Sequence, residues 1–309
     1  MDLWRLNIFC KVVALGSFSR AAEKAFLSQP TVSSHIKDLE NHFQCRLLDR
    51  FGRTVAPTRT GELLYQHAKA LLAMYDTLEA EMAEFQGHIR GRMVIGGSTI
   101  PAGYILPDII GRFMKTYPEV TVSLITGDTG QIVSGILAGD LEAGIVGAAV
   151  SDAHITQKQV FQESMQLIVP RDHPWAEKKT VPLADLLQEP FIIRESGSGT
   201  LMSLEKSLSE KNTQTSELKV VAEMGSTISV IQAIKSGIGV SVLSPLAVAD
   251  DLHAGTLKAI GIRGLSMTRQ FYLTRHKDRS ESPAARAFRK VLGKMLFIPR
   301  SDRPDRPSS

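Results

Sequence analysis

SQPTVSSHIKDLENHF, residues Ser28 to Phe43, is the stretch from which the rest of the chain is read. Ser28 carries a hydroxyl that can cap a first helical turn, and Pro30 lacks only an N–H that this turn leaves unpaired. Val32, Ile36, Leu39 and Phe43 then recur at spacings of four, three and four, which lays them along one helix face and predicts them as its anchor in a core. The other face offers Thr31, Ser33, Ser34, His35 and Lys37 beside the helix N-terminus, where backbone N–H groups point outward. Short polar groups and one cation suit phosphates and base edges, although any surface helix pairs an apolar stripe with a polar one.

The flanking sequence resolves that ambiguity. Upstream, Leu3 to Leu15 is an apolar-rich segment ended by Gly16, and Ser17-Phe18-Ser19 opens a short helical run to Ala25. The turn Phe26-Leu27-Ser28 completes helix, short helix, tight turn, helix, the helix-turn-helix arrangement whose last helix enters the major groove. Downstream, RLLDRFGRTVAPTRT (46–60) places Arg50 and Arg53 around Phe51-Gly52 between two short apolar pieces. By charge pattern this is either a two-stranded wing or a solvated loop; beside a helix-turn-helix, a wing gripping phosphates is expected. Residues 1–60 hold nine Lys/Arg against five Asp/Glu, whereas later residues hold 27 of each sign. The whole net charge of +4 therefore lies in the first fifth, which beside a helix-turn-helix favours a polyanionic partner.

From Gly61 to about Gln86 the pattern becomes one long helix. Leu64, Ala68, Leu71, Tyr75, Leu78, Met82 and Phe85 alternate spacings of four and three, an apolar seam with Glu79, Glu81 and Glu84 beside it. Such a stripe can pack on the chain's own domain, but a strict 3.5-residue period suggests another helix, so a homodimer through this helix is expected. Gly87 and Gly91 then punctuate a hinge. Beyond it, apolar runs alternate with helical patterns: 93–97, 104–116, 120–126, 132–138 and 143–146. After a break at 161–170 the alternation resumes at 191–194, 200–210, 219–222, 227–236 and 238–243, closing with 270–275 and 283–296. This order implies a mainly parallel sheet covered by helices, in two halves with a cleft between them.

The expected organisation is thus a winged helix-turn-helix domain (1–60), a linker helix and hinge (61–92) and a bilobed α/β domain (93–297). Its first lobe takes 93–161 and 270–297, its second 162–269, and 298–309 is a flexible tail rich in Pro, Asp, Arg and Ser. No apolar run approaches the ~20 residues needed to cross a bilayer, so no membrane partner is expected. MDLWRLNIFCKVV lacks the order of a signal peptide, which predicts a cytoplasmic protein. Cys10 and Cys45, the two cysteines, lack metal-ligand spacing, and Cys10 falls at a core-facing position. No G-x-S-x-G, H-E-x-x-H or C-x-x-C occurs, and GSGSGT is not followed by the Gly-Lys-Ser/Thr of a phosphate loop, so no catalysis is expected.

With these parts in this order the chain resembles a LysR-type bacterial transcriptional regulator. LNIFCKVVALGSFSRAAEKAFLSQPTVSSHIKDLE and LLDRFGRTVAPTRTGELL, within the first 66 residues, carry the specific match; the rest matches in organisation. The resemblance implies a C-terminal domain like a periplasmic solute-binding protein, and a tetramer that binds double-stranded promoter DNA. A small co-inducer in the cleft would change DNA bending; RNA polymerase would be a further partner, and no cofactor or metal is implied. Base reading carries over to Gln29, Pro30, Ser33 and Ser34, and phosphate contacts to Thr31, Lys37, Arg50 and Arg53. Ser34 and His35 stand where many relatives have Arg and Gln; because Ser is a less selective reader than Arg, the base preference of relatives does not transfer. Base contact by Ser34 or His35 is still expected from where the first turns dock.

In that family the effector site is lined by the end of the domain's first strand and by facing loops of the second half. Here these are GGSTIPAG (96–103), with Ser98 and Thr99, and RESGSGT (194–200), with Ser196, Ser198, Gly199 and Thr200. Ser226-Thr227 repeats the theme at a third helix start, and Thr129 of TGDT (126–129) completes the rim. Singly these are ordinary caps and turns; together they are oxyanion receptors, because helix N-termini supply N–H groups and positive potential. With no aromatic residue in 96–103 or 194–200, a small oxyanion or carboxylate is the expected effector. STIPAGYILP also looks like the corresponding segment of regulators linked to sulfur or selenium metabolism.

Overall fold

The computed structural model describes residues 2–51 and 54–296, in two compact units that divide between His88 and Ile89. The expectations for Arg53 and for the tail at 298–309 lie outside the described residues.

In the first unit, α1 (Leu3–Leu15) starts on Asp2 and stops at Gly16, whose φ of 59° lets the chain turn away. Ser17 caps α2 (Phe18–Ala25), and Ser28 Oγ accepts the Thr31 N–H to start α3 (Gln29–Phe43) with Pro30 in its first turn. Val32, Ile36 and Leu39 pack with Leu6, Ile8 and Phe9 of α1 and Ala21 and Ala22 of α2. Phe43 departs from the expected stripe: it is 38% exposed, because it ends the helix and Gln44 already turns away at φ 50°. In the tight turn, Phe26 combines a left-handed φ of 56° with 96% exposure, so burial does not offset its backbone strain.

β1 (Leu48–Phe51) and β2 (Thr54–Pro57) form the antiparallel wing. Buried Leu47 and Leu48 anchor it, and Glu40 Oε1 accepts their N–H groups at 2.9 and 3.4 Å. α4 (Arg59–Phe85) starts two residues before the expected position because Thr58 supplies the cap, taking the Gly61 N–H at 3.0 Å. A Cβ on Gly61 would stand 1.9 Å from the Leu47 carbonyl oxygen, so only glycine lets the helix close on the wing. The seam divides: Leu64 and Ala68 join the unit's core, whereas Leu71, Tyr75, Leu78, Met82 and Phe85 are 43–91% exposed.

In the second unit, β3 (Gly91–Gly97) leads through a π-helical turn (Pro101–Ile105) into α5 (Leu106–Thr116). Then come β4 (Val120–Thr126), α6 (Thr129–Ala138), β5 (Ala143–Val146), β6 (Ile155–Ser164), β7 (Gln166–Pro170), β8 (Thr180–Val181) and α7 (Leu183–Gln188). The chain continues through β9 (Phe191–Arg194), α8 (Gly199–Ser209), β10 (Val220–Met224), α9 (Thr227–Lys235), β11 (Ser241–Leu243) and α10 (Ala249–Ala254). β12 (Leu257–Ile262), β13 (Thr268–His276) and α11 (Pro283–Leu296) complete it.

One sheet has the order β4-β3-β5-β13-β6, with β3, β4 and β5 parallel and β13 antiparallel to both neighbours. Phe113 of α5 and Phe288 of α11 meet edge to face at 5.2 Å over its core. The other sheet, β11-β7-β12-β8, corrects the expectation of mainly parallel strands, since β7 runs antiparallel to both β11 and β12. A single residue, Met165, separates β6 from β7, leaving no crossover helix to enforce parallel order. Parallel pairing survives in β9 with β10 and in β8 with β12. No helix among the described residues is long and apolar enough to cross a membrane. No cluster of His, Cys, Asp or Glu among them has the make-up of a metal site.

Candidate DNA face and effector cleft

The docking of α3 on α1 and α2 leaves Gln29, Pro30, Ser34 and Lys37 exposed, with Thr31, Ser33 and His35 half-buried. Thr31 Oγ1 lies 2.7 Å from Ser28 Oγ, so its hydroxyl belongs partly to the cap. Arg50 reaches from the wing to donate from Nη2 to Ser33 Oγ at 3.1 Å, and its guanidinium lies 4.4 Å from the centre of the Phe18 ring. This geometry makes Arg50 a brace between wing and α3 that holds a permanent charge beside the exposed positions. His35 Nδ1 is buried without a hydrogen-bond partner, which leaves Nε2 for any outward contact. A fixed cation, an exposed polar first turn and a wing thus lie together on one unit.

In the second unit several of the expected effector residues lie near the carboxyl end of β5 or beside Arg269. The Ser98 N–H donates to the Ile145 carbonyl at 2.9 Å, which holds the loop after β3 there. A Cβ on Gly147, just past β5, would lie 3.6 Å from Arg269 Cδ and 3.5 Å from the Phe271 ring. Arg269, 6% exposed on β13, faces its cross-strand partner Glu163 on β6. Its Nε and Nη2 donate to Glu163 Oε1 at 3.1 and 2.5 Å, and Ser244 Oγ donates to Oε2 at 2.5 Å. The guanidinium also lies 4.7 Å from the Phe271 ring centre, and that ring stacks on Phe161 at 4.3 Å.

Gly199 opens α8 beside this ion pair: a Cβ there would meet Arg269 Nη1 at 3.5 Å. Ser198, at the cap position, makes no capping hydrogen bond. Ser198 and Thr200 are only 7% and 6% exposed, and their hydroxyls have no hydrogen-bond partner among the described residues. Gly199 and Gly147 thus both lie beside Arg269, and Ser98 is tied to β5 two residues before Gly147.

The remaining expected rim residues are differently engaged. Thr227 Oγ1 accepts from Arg194 Nη1 at 2.7 Å; Arg194 is itself buried and paired with Glu195 at 2.6 and 2.7 Å. The hydrogen bond from Arg194 holds the Glu195 carboxyl below the usual carboxylate range. Ser226 Oγ caps α9 through the Ser229 N–H at 3.1 Å. Thr129 begins α6 behind a closed box of Asp128 and Gln131. Thr99 and Ser196 are exposed, the latter before Gly197 at φ 85°.

Sequence reasoning overlooked Arg269, because a lone arginine at the start of a strand rich in polar residues has no local signal, and its partner Glu163 lies near the end of another such strand. An apolar cavity between β3, β5, β13 and α11, lined by Met93, Ile95, Leu273 and Phe288, lies elsewhere. Charges around it are already paired, Arg289 with Glu281 at 2.9 Å and Glu142 with Ser282 at 2.5 Å.

Known proteins share this organisation. Residues 3–62 match the profile described as bacterial regulatory helix-turn-helix protein, lysR family, and residues 86–296 match the LysR substrate binding domain. The chain is 31% identical over 265 residues to the HTH-type transcriptional regulator CysL of Bacillus subtilis, covering 86% of this chain and 88% of the relative. A full-length OxyR variant from Pseudomonas aeruginosa shares the fold, with a TM-score of 0.71 and 22% identity across 100% of this chain and 99% of that one. The Synechocystis CcmR regulatory domain, solved in complex with 2-PG, aligns with a TM-score of 0.61 and 26% identity, covering 67% of this chain and 97% of that one.

Proposed function

The chain belongs to the LysR family of DNA-binding transcriptional regulators, and from that premise we propose that its effector is a small oxyanion or carboxylate bound at the start of α8. One observation carries this reading: the N-terminus of α8, where Ser198 and Thr200 are 7% and 6% exposed, has no side-chain cap. Donors that lack acceptors favour a ligand made of acceptors, and the helix dipole favours its negative charge. Ser98 completes the receptor from the β5 side, with Thr99 and Ser196 at its mouth and Thr129, Ser226 and Thr227 farther along the rim. A relative's regulatory domain is known with 2-PG bound, which supports a small ligand in this domain.

On the DNA side, Gln29, Pro30, Ser33, Ser34 and His35 face base edges, while Thr31, Lys37, Arg50 and Arg53 set the phosphate register. The exposed part of the α4 seam pairs with a second copy, two such dimers make the tetramer, and the protein acts in the cytoplasm without catalysing a reaction. Calorimetry on the full chain with sulfate, sulfite, thiosulfate and acetate tests the effector class. Heat with these anions and none with an aromatic acid is expected; the reverse pattern would overturn it. Promoter affinity should fall steeply with salt, and salt-independent binding would contradict the phosphate contacts.

A further inference from the structure

The two sheets of the second unit are joined where β6 passes into β7 and where the chain returns from β12 to β13. These crossovers run side by side: the Met165 N–H donates to the Met267 carbonyl at 2.9 Å, and both side chains are buried in the core of the β11-β7-β12-β8 sheet. One rung inside the end of the other sheet, Glu163 of β6 and Arg269 of β13 are cross-strand partners with side chains 3% and 6% exposed. The Glu163 carboxylate spans the sheets. Oε1 accepts from Arg269 of its own sheet, whereas Oε2 accepts at 2.5 Å from Oγ of Ser244, which follows β11 of the other.

Ser244 is itself held. It is buried, and its Oγ also accepts the Leu246 N–H at 3.2 Å, capping the short 3-10 turn Pro245–Val248. That turn lies beside the π-helical turn Pro101–Ile105, which follows β3 of the first sheet. Apolar faces in contact accept a range of angles, but a buried carboxylate that parts from its donors is left as an unpaired charge, at heavy cost. A buried ion pair adds little net stability over an apolar pair of similar size, so what this one supplies is a single geometry. We propose that Ser244, Glu163 and Arg269 form a clamp that fixes the angle between the two sheets, with Ser244 as the positioning residue that ties one sheet to the ion pair of the other. A ligand that changes this angle has to break the Ser244–Glu163 bond, whatever its own chemistry.

Pulsed electron-spin distance measurement reads the angle without any ligand. Labels on Lys115→Cys in α5 and Lys211→Cys after α8, both exposed positions, report from the two sides. The labelled full chains carry Cys10→Ala and Cys45→Ala and are diluted into unlabelled protein, so that only distances within one chain are read. Ser244→Ala removes the hydroxyl alone. Glu163→Leu/Arg269→Met replaces the pair by apolar side chains of similar size, which keeps the fold but not the directed bonds. The unsubstituted clamp should give one narrow distance distribution, and both variants should shift and broaden it, with the double variant melting close to wild type. A narrow, unshifted distribution in Ser244→Ala, or in the folded double variant, would overturn the clamp. So would a broad distribution with the clamp intact, because the bonds would then not hold one angle.

Discussion

Truncating Leu78 and Met82 to alanine tests whether α4 is the dimer seam. These side chains are 54% and 56% exposed in the single chain, so a partner helix can bury about half of each. Full burial of a Leu or Met is worth ~1.5–3 kcal/mol, so each should contribute about 1 kcal/mol on association. A two-fold dimer contains every position twice, which makes each truncation worth about 2 kcal/mol and the pair about 4. At 1.4 kcal/mol per tenfold, the dimer dissociation constant should rise about a thousandfold. The fold itself should stay intact, because neither side chain belongs to the unit's core. Sedimentation velocity across a concentration series reads the dimer. Binding to a two-half-site operator should fall by ~10²-fold or more as the second contact ceases to be intramolecular, with a lone half-site unaffected. A dissociation constant within threefold of wild type would refute the seam.

Other consequences can be measured separately. Phe26→Gly should stabilise the first unit by about 0.5–1 kcal/mol, since it removes ~1–2 kcal/mol of left-handed strain against a smaller glycine entropy cost. Slower hydrogen exchange in α1–α3 would show this, and faster exchange would contradict it. Burial pushes the Cys10 thiol up to about 11, so in the folded protein near pH 8 it should resist iodoacetamide; rapid modification detected by mass spectrometry would contradict that burial. Because the folded Glu195 pKa is depressed, its stabilising effect is present above the unfolded value of 4.5 and is lost as pH falls through the lower folded value. Arg194→Gln should therefore flatten the acid limb of stability measured by denaturant titration below about pH 5; an unchanged limb would argue against the Arg194–Glu195 bond.

The first unit was legible because its signals are local. Ser28, Pro30 and the Val32-Ile36-Leu39 spacing specify α3 without knowledge of anything distant, and Gly16 and Ser17 mark the neighbouring helix ends. Strand direction in the second unit was not legible. QLIVP at β7 is an apolar run compatible with either direction, and the decisive partners, β11 and β12, lie about 75 to 90 residues away. The candidate cleft shows the same division. Its hydroxyls sit in compact Ser/Gly loops that a local reading finds, whereas Arg269 and Glu163 gain meaning only from a pairing 106 residues apart. The Arg50 brace likewise joins wing to helix across 17 residues, a contact that charge pattern alone reads as a free cation.

Gly61 has a mechanical consequence. With the Leu47 carbonyl oxygen filling the space where any other side chain would begin, the wing and the first turn of α4 move as one piece. α4 spans 27 residues, about 40 Å at 1.5 Å per residue, and forms a lever arm without a soft joint at its DNA-proximal end. Torque delivered near Phe85 would reach the wing with little loss, and a tilt of about 5° there would sweep roughly 3–4 Å along that arm. Promoter geometry can thus be altered while every side chain on α3 keeps its own contacts.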